Sequence, residues 1–164
     1  MHPVTQIQNL LSKSALLEGL SASEIEIVLS LLSSRHVDPG DVIATPRDEY
    51  ADNLFILVQG RIEVIIESEE GLNSIFVVNP GDLAGIITFS GRSISPIQVT
   101  VVALESTQVL SLDRIKFESL IYTHPQLMYR FYQGMVRHTH RMMRHFESVV
   151  VSLSEQISPA VGVR

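Results

Sequence analysis

The chain contains no cysteine, so disulfides and thiolate metal sites are both excluded. That absence fits a reducing compartment. No apolar run approaches the roughly 20 residues needed to span a bilayer. The N-terminus, MHPVTQIQNLLSKS, lacks the basic start and long apolar stretch of a signal peptide. Positive charge is scarce: 12 Lys and Arg stand against 18 Asp and Glu, a net of −6, which disfavours general binding to nucleic acid. There is no nucleophile–base–acid set, no metal-ligand spacing and no phosphate-binding P-loop. The expectation is a soluble, cytoplasmic protein that is not an enzyme, holds no metal and binds neither membrane nor nucleic acid directly.

What the chain does have is hydrophobic content, 45% of 164 residues, enough for the core of one domain. Its charge is unevenly spread. Residues 1–120 carry 7 basic and 16 acidic side chains, while residues 121–164 carry 5 and 2. An acidic body therefore precedes a mildly basic tail. Either this is an ordinary solvated surface, or the tail meets an acidic partner or the acidic body of a second copy.

The first 34 residues read as helices. Ile7, Leu10, Leu11, Leu16, Leu17 and Leu20 recur at helical spacing, and Ser21 with Glu24 forms a capping-box pattern before Ile25, Val28 and Leu29. This second helix is expected from near Ala22 to Ser33 or Ser34. From Arg35 to about residue 123 the pattern is that of a barrel: short strands at 36–37, 42–44, 54–59, 61–67, 74–78, 97–103 and 108–112, broken by Gly, Pro and Asp. Ile62, Val64 and Ile66 fall on one strand face. Residues 83–89 fit one helical turn, residues 113–123 a short helix, residues 124–157 one long helix, and residues 158–164 a tail. The fold class is mainly β with flanking helices, a sandwich or barrel.

The order of certain residues is more specific. Gly40-Asp41-Val42-Ile43 is followed by Ala51-Asp52-Asn53-Leu54-Phe55-Ile56-Leu57-Val58-Gln59-Gly60-Arg61-Ile62-Glu63-Val64, then by Pro80-Gly81-Asp82 and Thr100-Val101-Val102-Ala103. This resembles the cyclic-nucleotide-binding domain family, in particular the sensor domains of catabolite-activator-type regulators. The resemblance covers roughly residues 10–155. It implies an eight-stranded jelly-roll barrel with a long C-terminal dimerisation helix, and a phosphate-binding cassette at residues 80–103.

The cassette departs from the family pattern. By resemblance, a glutamate that meets the ribose belongs where Ile86 stands, after Gly85, and an arginine that meets the cyclic phosphate belongs where Ile97 stands. Val99 replaces the usual alanine before Thr100. A charge-assisted hydrogen bond contributes roughly 1.5–3 kcal/mol, so losing both contacts moves micromolar affinity to millimolar or weaker. Standard binding of cAMP or cGMP is therefore not expected. The candidate pocket comprises Leu83, Gly85, Ile86, Ile87, Arg92, Ser95, Ile97, Gln98, Val99 and Thr100. Arg92 is either an exposed loop arginine or a replacement cation that swings in. The isoleucines either meet a different ligand or simply fill the cavity.

In the long helix, Met128, Tyr132, Met135, Thr139, Met142, Phe146, Val149 and Leu153 alternate at spacings of four and three, a coiled-coil seam. A homodimer through this helix is expected, which the resemblance also implies. Leu127, Phe131 and Val136 offer a second face to the barrel. The basic segment from Arg137 to His145 is the expected contact for a protein partner or for salt bridges across the dimer, with mild pH sensitivity from its histidines. His138 and His145 lie two turns apart, too far to chelate one ion readily, and no axial pair for a haem is evident. The function expected is a dimeric regulatory or sensor module acting through protein contacts or a non-standard small ligand. The alternative is the effector-sensing half of a catabolite-activator-type transcription regulator whose DNA-binding domain is absent or on another chain.

Overall fold

Two strands buried on both faces set the architecture. A computed structural model describes residues 3–12, 14–91 and 97–157. In it, β3 (Leu54–Gln59) and β8 (Thr107–Leu112) lie side by side at the centre of one sheet. Successive side chains of a strand point to opposite faces. Leu54, Ile56, Leu110 and Leu112 thus join a core beneath the helices. Phe55, Leu57 and Val109 join a second core between the sheets. A strand buried on both faces has no place for polar side chains, apart from those that find partners. Ser111, buried beside β3, accepts a hydrogen bond from Asn53 Nδ2 at 2.9 Å.

The first sheet has the order β1-β8-β3-β6, with β1 at Leu32–Val37 and β6 at Leu83–Ala84. The second has the order β2-β7-β4-β5: Val42–Ala44, Gln98–Ala103, Ile62–Ser68 and Gly71–Val77. All pairings are antiparallel. The expected jelly roll of two sheets with flanking helices is what forms. Both Gly-Asp turns are tied to neighbouring strands. Gly40 N donates to Ala103 O at 2.7 Å, and Gly81 N donates to Leu57 O at 2.7 Å.

Helices α1 (Pro3–Ser12) and α2 (Ala22–Leu31) precede the barrel. The capping box is present: Ser21 Oγ accepts from Glu24 N, and a Glu24 carboxylate oxygen accepts from Ser21 N at 2.8 Å. The expected end at Ser33 or Ser34 is corrected. α2 stops at Leu31, and β1 begins at once, because residues 32–37 pair with β8 along their whole length, from Leu32↔Leu112 to Val37↔Thr107. A full ladder on a buried strand outweighs one further helical turn. β5 likewise starts at Gly71 rather than Ser74, since the β4–β5 register closes tightly at Ser68↔Gly71.

After β8, α4 (Arg114–Glu118) is capped by Asp113, whose carboxylate accepts from Lys116 N at 2.9 Å. A 3-10 turn over Ser119–Tyr122 leads to α5, Pro125–Ile157. Leu127 and Phe131 of α5 are buried against the barrel as expected, but Val136 is 68% exposed. The buried stripe runs through Phe131, Met135 and His138, and a residue one position beyond Met135 is rotated about 100° off it.

Candidate ligand pocket

The segment read as one helical turn is divided in two. β6 pairs with β3 through Phe55↔Ala84 and Ile56↔Leu83, and α3 follows at Ile86–Gly91. Gly85 is the joint between them. Its φ is +82°, and a Cβ there would lie 2.6 Å from the carbonyl oxygen of Asn53. No other residue fits a left-handed backbone pressed so closely on a neighbouring strand. From this joint α3 turns back over the barrel. Thr88 and Phe89 face inward, and Ile87 stays exposed.

Between α3, the second sheet and α5 lies a pocket of about 230 Å³. Of the residues expected there, Leu83, Gly85, Ile86, Ile87 and Val99 line it. Ile97 packs against the core between the sheets and is absent from the wall. Gln98 is exposed and Thr100 half-buried, out of phase with Val99 and Val101, which point inward. Their placement corrects the expectation that they line the pocket: on a strand, alternate residues leave the site. Arg92 and Ser95, and with them the question of a replacement cation, lie outside the described residues.

The remaining wall comes from elements that the cassette alone does not indicate. Val64 and Ile66 of β4 and Ile75 and Val77 of β5 supply the floor, while Thr139, Met142, Met143 and Phe146 of α5 form one side. The β4 alternation already marked Val64 and Ile66 as one face. Their relevance depends on register, Ile66 standing opposite Val99 and Val64 opposite Ile75. Among the described residues no charged side chain lines the pocket. The two hydroxyls among its described lining residues are already engaged: Thr88 Oγ1 donates to Gly85 O, and Thr139 Oγ1 donates to Met135 O, each at 3.0 Å.

The helical seam divides at its middle. Met128, Tyr132 and Met135 pack into the chain's own core, which corrects their assignment to a dimer interface. Met142 and Phe146 border the pocket, and Val149 and Leu153 are exposed. The basic segment has partners within the chain. Arg141 pairs with the Glu18 carboxylate at 2.9 Å, and Arg137 donates to the Glu18 carbonyl. Further up α5, Arg130 pairs with Glu24 at 2.9 Å.

His138 is only 6% exposed, and its Nε2 has no hydrogen-bond partner among the described residues. It borders a second, polar cavity of about 340 Å³ with Ser14, Asp82, Arg141 and His145. Burial holds its pKa below the usual histidine value; the Asp82 carboxylate opposes this shift, and Arg141 adds to it. Among the described residues no group of three or more His, Cys, Asp or Glu side chains is placed to hold a metal ion. Among them, too, no helix is long and apolar enough to cross a membrane.

The two sheets, the β6–Gly85–α3 cassette and the long helix α5 define a jelly-roll domain closed by one long helix. The family profile described as cyclic nucleotide-binding domain matches residues 34–124, more than half of the chain. The chain belongs to that family. It is 28% identical over 118 residues to the HTH-type transcriptional regulator Cmr of Mycobacterium tuberculosis, covering 72% of this chain and 47% of that protein. The chain thus spans about half the length of this curated relative. Its fold matches a cyclic nucleotide-binding domain from Methylobacillus flagellatus, with a TM-score of 0.67, 17% identity, and coverage of 98% of this chain and 85% of that one. It also matches the catabolite activator protein of Thermus thermophilus, with a TM-score of 0.60, 22% identity, and coverage of 86% and 63%.

Proposed function

We propose that this chain is a non-enzymatic regulatory domain of the cyclic-nucleotide-binding family whose cassette does not take cAMP or cGMP in the family's manner. It acts through protein contacts or a different small ligand, as a homodimer joined by the exposed half of α5. One observation carries the reading: among the described residues the pocket beside Gly85 is walled by hydrocarbon, with Ile86 where the resemblance puts a glutamate and no charged side chain on its lining. A cyclic phosphate carries a full negative charge. Moving it from water into such a wall without a fixed cation costs several kcal/mol, which cancels most of what a base and ribose gain by burial. Titration calorimetry of the full chain with cAMP and with cGMP tests this. Dissociation constants in the millimolar range or weaker are expected, and micromolar binding of either nucleotide would refute it.

A second reading concerns the output. The relative from M. tuberculosis is a transcriptional regulator, and the match covers about half of it. That favours a role as the effector-sensing half of such a regulator, with DNA recognition supplied by a further domain or another chain. Its test is whether a DNA-binding partner changes affinity for DNA when this domain is present.

A further inference from the structure

Resting on that reading of the pocket, we infer that its ligand presents an uncharged hydrocarbon group of roughly nine carbons, a medium-length alkyl chain or a compact aryl group. The inference starts from size. An apolar cavity of roughly 150 Å³ holds one benzene molecule, six carbons. At about 230 Å³ the pocket is half as large again, which scales to roughly nine carbons at the same fit. The lining then fixes the chemistry. Ile66, Ile86, Val99, Met142 and Phe146 offer only C–H and thioether surface, and the Thr88 and Thr139 hydroxyls already donate to backbone carbonyls. A ligand group that needs a side-chain donor or a counter-charge finds none among the described residues of this wall and loses its hydration. A hydrocarbon group loses nothing and gains by leaving water.

The side formed by α5 suits such a guest. Met142 and Met143 are unbranched and polarisable, and methionine adapts its shape to apolar partners. Met143 and Phe146 are also partly exposed, so the pocket opens beside α5. A polar head on the ligand therefore remains in water while the tail is enclosed.

The test is a homologous series of 1-alkanols from six to twelve carbons, titrated into the full chain by calorimetry. Binding is followed in parallel through the methyl NMR signals of Met142 and Met143, with propylbenzene as the aryl probe. Each added methylene is expected to tighten binding about fourfold up to eight to ten carbons, after which the gain stops. The two methionine methyl signals should shift, while those of Met128 and Met135 in the core stay unchanged. Met142→Gln keeps the length of the side chain but adds a polar group to the wall, and it should weaken the best alkanol at least tenfold. Val136→Gln, on the exposed face, should leave it unaltered. Affinity that rises without a plateau through twelve carbons, or shows no dependence on length, overturns the inference. So does binding that ignores Met142→Gln. If alkanols and cyclic nucleotides both fail to bind, the hydrocarbon ligand falls while the reading of the cassette stands. If cAMP binds at micromolar concentration, both fall.

Discussion

The ring of Phe89, on the cassette helix α3, lies 5.6 Å from the ring of Phe117 on α4. Phe131 of α5 completes the group, 4.4 Å from Phe117 and 6.4 Å from Phe89. All three are fully buried. The cassette is thus joined to the closing helix by aromatic packing. Phe89→Ala removes the link and leaves a void, so it is expected to destabilise the domain by about 3–5 kcal/mol. Urea denaturation of the variant beside the parent measures this. A loss below about 1 kcal/mol would show that α3 is held by other contacts.

Gly134 illustrates a different constraint. Alanine is normally favoured over glycine inside a helix by about 1 kcal/mol. Here a Cβ would meet the backbone carbonyls of Leu16 and Ala15, and backbone cannot step aside as a side chain can. Gly134→Ala is therefore expected to lower the melting temperature by several degrees, as a loss of roughly 1–3 kcal/mol does in a domain of this size. Differential scanning calorimetry decides the sign.

If missing charge is what bars cyclic nucleotides, restoring it should help. Ile97 packs between the sheets, off the pocket wall, whereas Ile87 lines the pocket and is exposed. The double change Ile86→Glu with Ile87→Arg is therefore expected to strengthen cAMP binding by at least tenfold, since each charge-assisted hydrogen bond contributes roughly 1.5–3 kcal/mol. Calorimetry on the parent and the double variant supplies the comparison. No gain in a folded variant would mean that the shape of the loop, not the charge of the cassette, excludes the nucleotide.

His138 predicts a pH dependence of stability. Its pKa is lowered in the fold, chiefly by burial, so the unfolded chain binds the proton more readily. The contribution of the neutral ring is complete above the unfolded value near 6.5. It is lost as pH falls from there through the lowered folded value. The urea midpoint should drop between pH 7.5 and 5.5, and His138→Phe should flatten that slope. An equal slope in both proteins would assign the effect to other groups.

The proposed dimer is tested on the distal half of α5. Val149 and Leu153 are exposed in the single chain, so Val149→Glu with Leu153→Glu leaves its core untouched. The double variant is expected to sediment as a monomer, with an unchanged circular dichroism spectrum, under conditions where the parent sediments as a dimer. A monomeric parent would dismiss the homodimer.

The barrel was legible in the sequence because strand signals are local. The apolar run at 54–59, the alternation at 62–66 and the Gly-Asp turns each announce themselves within a few residues. The glycine at 85 was legible by position, and so was the hydrocarbon character of Ile86 and Val99, but the break it makes between β6 and α3 was not. What local pattern could not reveal was which α5 residues face the barrel. Met128, Tyr132 and Met135 belong to the same heptad as Val149 and Leu153. Only the place where α5 runs beyond the barrel separates core from exposed face. Gln98 and Thr100 were misplaced for a similar reason: proximity to Val99 along the chain does not survive the alternation of a strand.

Glu24 does two jobs at once. Its carboxylate accepts from the Ser21 amide at the start of α2 and also takes the Arg130 guanidinium of α5. Protonating or removing that one group would fray the beginning of one helix and unmoor the flank of the other in the same event. In amide hydrogen exchange, α2 and the first turns of α5 should then open together as one cooperative unit.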